Sequence, residues 1–362
     1  MRSRLFTYLF LALALTALFW LACGEPYQAP TALEQEQQEV VLSPADPQVK
    51  AVMAVQERVT DDLLRRPGVI GTGTGMTADG KPAIVVLLKS ESLAKEAALP
   101  PTLDDVPVVT LVTGEIKALR GRRPSVDPTA RFDRPVPIGV STGHPAITAG
   151  TIGCRVKDAQ GNVFALSNNH VYAATNFLDC TPNPGVYDCA LGDPVIQPGT
   201  FDGGSSPADD IGTVADFEPI DFSPGATNTI DAAIASSSTA LLGNSTPSDG
   251  YGTPQSQTVA ARVGMRVMKY GRTTGQTRGR ISAINATVDV NYGAPGVARF
   301  VGQVVISGSF SAGGDSGSLI VGARRADRGK PVALLFAGST NTTIGNPIDL
   351  VLNRFGVTVD GQ

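Results

Sequence analysis

Short runs of Val, Ile, Ala and Thr alternate with Gly, Pro and Asn turns from about residue 138 to the C-terminus. These apolar runs occupy residues 149–156, 163–166, 195–196, 211–215, 262–269, 279–288, 300–306, 318–321 and 331–337. Many short strands at such spacing predict an all-β domain, either a barrel or a sandwich. The last stretch, residues 347–355, has helical spacing instead, so a helix is predicted near the C-terminus.

A different pattern precedes this region. Residues 47–64 place valines on one side of a helix, and the Asp-Pro pair at 46–47 is a helix start. A strand over 68–73, an Ala-Asp-Gly turn and a return strand over 83–88 then predict a hairpin. A second helix over 92–98 and a third strand over 106–112 follow. Residues 47–120 are therefore predicted to form a small α/β domain.

The glycine-rich run 71–75 of this domain has the composition of a phosphate-binding loop. No Lys-Ser or Lys-Thr pair follows it, and a hairpin comes next where such a loop needs a helix. We therefore predict no nucleotide site in this loop. For the chain as a whole we predict no cofactor.

The first 23 residues have the pattern of an export signal. Two arginines near the start precede an apolar run over residues 5–21, and Cys23 marks the change to polar sequence. An uncleaved membrane anchor is the alternative interpretation. The boundary also resembles a bacterial lipoprotein box, in which Cys23 would be lipidated and would attach the protein to the membrane. Residues 24–46 are polar and are predicted to be a flexible tether. The predicted location is outside the cytoplasm, secreted or lipid-anchored.

A basic, proline-rich linker is predicted over residues 121–137, between the α/β domain and a main domain over 138–362. Such a segment is open to proteolytic nicking.

The overall composition limits the function further. The 362 residues carry a formal net charge of −4 and include 42% hydrophobic residues, which suits buried cores and gives no basic surface for nucleic acid. In an exported protein, Cys180 and Cys189 flank a Pro/Gly loop and are predicted to form a disulfide, whereas Cys154 remains a buried thiol. No Cys/His spacing of a metal site occurs, so no metal is predicted.

The candidate chemistry centres on Ser316, which lies in the glycine-rich segment 311–318 (Ser-Ala-Gly-Gly-Asp-Ser-Gly-Ser). Glycines permit a sharp turn that leaves the serine hydroxyl accessible. A nucleophilic serine needs a base, and the chain has only two histidines. His170 ends an apolar strand and is the better candidate, whereas His144 lies in a loop. Asp231, between small apolar residues, is the predicted carboxylate that orients His170.

His170, Asp231 and Ser316 follow the chain order of the chymotrypsin-like (trypsin-like) serine proteases, and this chain resembles that family. The run Gly-Asp-Ser-Gly-Ser at 314–318 is similar to the family's nucleophile motif. The run Lys-Tyr-Gly-Arg-Thr-Thr-Gly at 269–275 is similar to a motif of the bacterial branch, of the α-lytic type. The histidine motif departs, since Ser-Asn-Asn-His-Val stands where the family usually has Thr-Ala-Ala-His-Cys.

The resemblance implies a mainly β fold of two antiparallel β-barrels with a C-terminal helix, preceded here by the small α/β domain. His170 and Asp231 would come from the first barrel and Ser316 from the second. The N–H groups of Gly314 and Ser316 would form the oxyanion hole. Asp315 would be buried beside the nucleophile, and Lys269 would be its cation.

The resemblance also implies substrate contacts. Phe310 falls where family members set the base of the primary pocket, which suggests a modest apolar substrate residue, and Gly338 lies in the strand that would pair with substrate backbone. Residues 47–120 would be either a removable pro-region or a permanent accessory domain.

The predicted function is an exported, monomeric serine endopeptidase that acts on a peptide or protein substrate through a Ser-His-Asp triad. The main alternative is a catalytically silent surface binding protein on the same fold. An esterase or lipase with the same triad is a weaker alternative, because Gly-Asp-Ser-Gly has the wrong spacing for the nucleophile elbow of those enzymes.

Overall fold

The strands form two large, mainly antiparallel sheets and one short ribbon in the computed structural model, which describes residues 40–115 and 126–362. The strands are β1 (Val69–Met76), β2 (Pro82–Leu88), β3 (Thr102–Leu103), β4 (Val106–Val112), β5 (Ser141–Thr142), β6 (Gly150–Thr151), β7 (Cys154–Lys157), β8 (Val163–Ser167), β9 (Pro194–Ile196), β10 (Asp210–Phe217), β11 (Ala233–Ser237), β12 (Arg266–Gly271), β13 (Gly275–Asn291), β14 (Val297–Ser307), β15 (Leu319–Gly322), β16 (Pro331–Gly338), β17 (Thr342–Pro347) and β18 (Thr358–Val359). The helices are α1 (Pro47–Leu64), α2 (Glu91–Glu96), α3 (Asn169–Tyr172) and α4 (Ile348–Phe355).

The first sheet has the strand order β18-β7-β8-β11-β10-β9, and the β5-β6 ribbon lies across its open side. Gly143 bridges to Ile196 in β9, while the Gly153 N–H donates to the Leu166 carbonyl in β8 at 2.8 Å. These contacts connect the ribbon to both halves of the sheet and roll it into a barrel. α4 packs against the same apolar core through Ile348 and Val351. This barrel positions α3 at the end of β8, where His170 lies.

The second barrel closes on itself. Its strands run in the order β12-β15-β16-β17-β14-β13, and β12 also pairs with β13. Closure leaves no free edge in this ring, which is how a barrel avoids exposed strand backbone. Ser316 lies in the turn that enters β15, at the side of this barrel that faces the first.

β13 is long enough, at 17 residues, to have two partners on one edge. Its first part pairs with β12 from Arg280 to Gly275, and its later part pairs with β1 from Ile284 to Val288. The second sheet therefore continues through β1, β2 and β4 to β3, with β2 and β4 parallel. A Cβ at Gly71 would lie 2.9 Å from the Thr287 carbonyl oxygen, so glycine permits this close approach of β1 and β13.

The described residues from Val41 to Gln362 belong to a single compact unit. The helix, hairpin and third strand predicted over residues 47–112 are present, but their strands extend the second barrel's sheet. The end of β4 reaches the segment after Gly338, where Asn341 Nδ2 donates to the Val112 carbonyl at 3.1 Å and the Ser339 hydroxyl donates to the Thr113 carbonyl.

The mainly β fold with a C-terminal helix that the sequence predicts is confirmed. The predicted signal over residues 1–23, Cys23, the tether up to residue 39 and the arginines at 120–123 lie outside the described residues. Within residues 40–115 and 126–362, no helix has both the length and the apolar content needed to cross a membrane.

Candidate active site

His170 and Asp231 form a directly bonded pair. The His170 Nδ1 atom lies 2.6 Å from Asp231 Oδ2, and the His170 backbone N–H donates to Asp231 Oδ1 at 3.3 Å. Asn168 Nδ2 donates to the Asp231 carbonyl at 2.7 Å, and the Asp231 N–H donates to Asn346 Oδ1 at 3.1 Å. The Asp231 side chain is fully buried, whereas 22% of the His170 side chain is exposed. This arrangement fixes the imidazole and leaves its other nitrogen available for a proton transfer.

A second donor to this carboxylate was not predicted from the sequence. The Tyr292 hydroxyl donates to Asp231 Oδ2 at 2.7 Å, and its ring lies edge-on to the His170 ring with 6.0 Å between centroids. Tyr292 comes from the second barrel and is 61 residues beyond Asp231 in the chain. No motif links the two residues, so only the folded chain shows the contact.

Ser316 lies between the two barrels and is 8% exposed. The Thr151 N–H donates to the Ser316 carbonyl at 2.8 Å. A Cβ at Gly150 would lie 2.5 Å from a Val171 methyl and 3.1 Å from the Ser316 carbonyl oxygen, so the residue after His170 and the serine pack on the same strand. β6 thus brings the serine turn next to the helical turn that carries the histidine.

The Ser316 hydroxyl donates to the Phe336 carbonyl at 3.4 Å, and no hydrogen bond among the described residues joins it to His170. Catalytic hydrogen bonds are often long or unformed before substrate binds. The structure therefore brings the histidine and aspartate of the predicted triad into contact, while the predicted serine is bonded to the Phe336 carbonyl.

The turn before Ser316 presents free backbone donors. Across the described segments, no hydrogen bond uses the N–H of Gly314 or that of Ser316. The Thr273 hydroxyl donates to the Gly313 carbonyl at 2.5 Å, which fixes the peptide to Gly314 and points its N–H the opposite way. Gly314 has φ +91°, and a Cβ there would lie 2.6 Å from Thr273 Oγ1. Two unpaired N–H groups two residues apart in the same turn are the kind of donors that an oxyanion hole uses.

Asp315, between these two donors, is fully buried and fully bonded. Lys269 Nζ donates to Asp315 Oδ2 at 3.0 Å, and the Thr274 hydroxyl donates to the same oxygen at 2.6 Å. The Thr273 and Thr274 N–H groups donate to Oδ1 at 2.8 Å and 3.1 Å. The Ala312 N–H completes the set at 2.9 Å. This network locks the serine turn to the 269–275 segment.

Lys269 is itself without exposed surface. Burial lowers the pKa of its ammonium group from the usual value, and the Asp315 carboxylate opposes that shift. Lys269 Nζ also donates to the Gly275 carbonyl at 3.1 Å and to the Thr274 hydroxyl. A Cβ at Gly271 would lie 2.5 Å from Asp315 Oδ1, so glycine at this position of the motif leaves room for the carboxylate.

The two residues predicted to contact substrate lie in different surroundings. The Phe310 side chain is 1% exposed and belongs to an apolar core of the second barrel with Ile281 and Ile306. Gly338 ends β16 and pairs with Thr343 in β17. Their roles in substrate binding remain predictions.

The predicted disulfide between Cys180 and Cys189 is confirmed, and Cys154 is a buried free thiol. The histidine that was not chosen as the base, His144, is completely buried, and its Nε2 lies 3.0 Å from Asp193 Oδ2. Asp193 also accepts from the N–H groups of Asp188 and Ala190, on either side of Cys189. His144 and Asp193 thus hold the disulfide loop in place. Cys180 lies within 4.8 Å of both, but its sulfur is in the disulfide.

Comparisons with known proteins give partial matches. Residues 252–346 match the family of the Nal1 C-terminal domain. No curated protein matches the sequence. Among solved structures, the chain is similar to Thermobifida fusca protease A, at 19% identity and a TM-score of 0.43, with 63% of this chain and 99% of that one covered.

Two further solved structures are similar to the same extent. Nocardiopsis protease matches at 19% identity and a TM-score of 0.42, with 62% of this chain and 98% of that one covered. Cellulomonas bogoriensis chymotrypsin matches at 19% identity and a TM-score of 0.41, with 63% of this chain and 99% of that one covered. These three neighbours are bacterial chymotrypsin-like serine proteases.

Proposed function

We propose that the protein is an exported serine endopeptidase that cleaves peptide bonds through Ser316, His170 and Asp231. The observation that carries this proposal is the buried Asp231 carboxylate bonded at 2.6 Å to a partly exposed histidine, next to a serine turn with two free N–H groups. Removing a carboxylate from water costs free energy, and the Asp231 carboxylate has no exposed surface. Its bond to a histidine at the junction of two barrels indicates a functional role. Acid–base catalysis at a serine is the purpose that these groups fit together.

The chemistry follows from the positions of the donors. Ser316 Oγ attacks the scissile carbonyl carbon while His170 Nε2 takes the hydroxyl proton, and the carbonyl π electrons move to the oxygen. The N–H groups of Gly314 and Ser316 stabilise that oxyanion, an effect worth roughly 3–4 kcal/mol for one such donor. His170 then gives its proton to the leaving amine as the C–N bond breaks. Water attacks the acyl-enzyme by the same route and regenerates the serine.

Asp231 remains ionised throughout and stabilises the imidazolium that forms on His170. Lys269 supplies the cation that pairs with the buried Asp315 carboxylate. The serine turn would therefore hold its shape without a cation from an N-terminus newly made by cleavage of the chain.

The segment over residues 1–23 would export the chain, with Cys23 as the lipid attachment point if the protein is anchored. The N-terminal α/β region stands beside the strand edge that would bind substrate, since the end of β4 is bonded to Ser339 and Asn341. It would limit access there as a pro-region or as an accessory domain. The protein would act on peptide or protein substrates as a monomer, with an apolar residue preferred before the cleaved bond.

The test is hydrolysis of an unfolded protein substrate such as casein by the purified full chain. Replacing Ser316 by Ala should lower the rate by roughly 10⁶-fold, which is the scale seen when a triad serine is removed. Ser311→Ala is the matched control, because Ser311 lies in the same turn but its hydroxyl is 2.6 Å from Thr343 Oγ1. Equal rates in Ser316→Ala and the unsubstituted protein would exclude the proposal.

A catalytically silent binding protein is the second candidate. The Ser316 hydroxyl bonded to the Phe336 carbonyl is the observation that favours it, because that bond leaves His170 without the serine as a partner. A folded chain that binds peptides but hydrolyses none would support this candidate.

A further inference from the structure

Tyr292 follows β13 and lies in the hairpin that leads to β14. Its N–H donates to the Gly296 carbonyl at 2.9 Å, and the flanking pair Val290 and Ala298 stay in antiparallel register. The turn is therefore closed by backbone hydrogen bonds at its base. This hairpin carries the tyrosine from the second barrel to a carboxylate that belongs to the first.

The tyrosine ring is held on three sides by aromatic rings. The centroid distances are 5.6 Å to Phe222, 6.1 Å to Phe300 and 6.0 Å to His170. The first and last of these contacts are edge-on, at 86° and 71°, a geometry that aromatic pairs favour. Packing of this kind leaves the hydroxyl little freedom to move away from Asp231.

The hydroxyl donates to the same oxygen that His170 Nδ1 contacts. The distances to Asp231 Oδ2 are 2.7 Å from Tyr292 and 2.6 Å from His170. Hydrogen bonds to an ionised acceptor are among the stronger ones in proteins. A carboxylate oxygen that accepts two hydrogen bonds is a weaker acceptor for each donor than an oxygen that accepts one.

We propose that Tyr292 is a positioning residue of the triad, which fixes the Asp231 carboxylate and moderates how strongly it attracts a proton to His170. This inference rests on the proposed peptidase function. Tyr292 is bonded to Asp231 and packs on the His170 ring, so its effect is on the orientation and basicity of His170. The Tyr292–Asp231 hydrogen bond also connects the second barrel to the first beside His170.

Burial and the Asp231 carboxylate raise the pKa of the Tyr292 hydroxyl well above its usual value. Tyr292 is therefore a neutral donor throughout the range in which a histidine titrates. Among the described residues, the ionisable groups bonded to His170 or packed on its ring are Asp231 and Tyr292. A change at Tyr292 thus reaches the imidazole without the gain or loss of another charge.

The test compares Tyr292→Phe with Tyr270→Phe in the full chain. Tyr270 is the matched control because its hydroxyl also donates to a carboxylate, Asp249 Oδ1 at 2.8 Å, away from the triad. In Tyr292→Phe we expect kcat to fall about tenfold with little change in KM, as for an interaction that matters mainly in the transition state. We expect the acid limb of the kcat/KM profile to move up by about half a pH unit, because Asp231 then stabilises the imidazolium more strongly. Tyr270→Phe should leave the acid limb unchanged, which separates an effect on His170 from a loss of support in the 269–275 segment.

A direct measurement separates this inference from the proposed function. The protein has only two histidines, so NMR titration of labelled imidazoles reports His170 beside His144 as an internal reference. A higher titration midpoint for His170 in Tyr292→Phe supports the inference even if the protein hydrolyses nothing. An unchanged His170 titration in Tyr292→Phe, with or without a lower melting temperature, overturns the positioning role and leaves the peptidase proposal standing.

Discussion

Lys269 places an ammonium group where its side chain has no exposed surface, beside the equally buried Asp315. Removing one partner of such a pair leaves an uncompensated buried charge, which is strongly destabilising. The loss of hydration partly offsets the Coulomb attraction of the intact pair. The main effect of the pair is therefore to fix the conformation of the serine turn. Lys269 and two threonines hold the carboxylate that fixes the serine turn.

We expect Lys269→Met to lower the free energy of unfolding by about 3–5 kcal/mol, since Asp315 would stay buried without its cation. The matched control is Lys157→Met, because Lys157 Nζ lies 3.0 Å from Asp360 but its side chain is 47% exposed. A partly exposed pair contributes about 1 kcal/mol or less. Urea unfolding of both variants measures the difference, and equal losses would show that the buried pair is not special.

Individual site residues differ in how far the sequence predicts them. The Lys269–Asp315 contact is expected from the resemblance of two short motifs to those of the chymotrypsin-like serine proteases, which implies a buried aspartate beside the serine and a cation to pair with it. The Tyr292–Asp231 contact is not, because neither residue belongs to a motif with the other and their approach depends on how the second barrel's hairpin meets the first barrel. Long-range side-chain contacts of this kind come from packing and leave no pattern in one sequence.

At the scale of the element, the segment after α3 is unusual. Ala174, Thr175, Asn176 and Phe177 have φ between +42° and +61°, a left-handed turn without glycine. Each such residue costs roughly 1–2 kcal/mol relative to a right-handed conformation. Hydrogen bonds from Asn176 offset this cost. Its side chain bonds to both backbone groups of Ile220 and to Asn169, next to His170.

We expect Asn176→Ala to destabilise the protein by about 2–4 kcal/mol, because both polar groups of Ile220 would lose their partner in a partly buried place. Asn162→Ala is the control, because Asn162 bonds to Asp158 at 2.7 Å in an exposed turn. It should change stability by about 0.5 kcal/mol or less. Thermal unfolding distinguishes the two, and a stable Asn176→Ala variant would mean that the turn does not depend on this side chain.

Strands and helices are the part of the fold that the sequence predicts well. The alternation of short apolar runs and turns identifies the mainly β region, and helical spacing identifies α4. It does not reveal that β13 pairs with both β12 and β1, because pairing depends on edges that form only when distant strands meet. The sequence pattern also does not reveal the left-handed turn at residues 174–177, because Asn176 is the one residue of that turn whose type tolerates the left-handed conformation.

At the scale of the whole molecule, the larger of the two sheets crosses the predicted boundary near residue 120. Val85 and Leu87 of β2 share an apolar core with Val288 and Phe300 of the second barrel. Burial of apolar side chains across this boundary holds the N-terminal region to the barrel without help from the intervening chain. A break in the connecting segment therefore need not release it.

We expect residues 41–115 and 126–362, co-expressed as separately tagged chains, to purify together under native conditions. Gly71→Val in the shorter chain is the control, because a side chain there would collide with the Thr287 carbonyl and disrupt the β1–β13 pairing. Size-exclusion chromatography reads out the association. A folded longer chain that elutes by itself would show that the N-terminal region is dispensable for the barrel, as a removable pro-region would be.

The proposed peptidase activity depends on Ser316 being a nucleophile that His170 and Asp231 activate. Labelling with a fluorophosphonate probe tests it most directly, because the probe forms a covalent bond only with an activated serine. Mass spectrometry of the full chain should find one adduct, on the peptide that contains Ser316, and Ser316→Ala and His170→Ala should prevent it. A correctly folded protein that takes up no probe, or that carries it on another residue, would contradict the account.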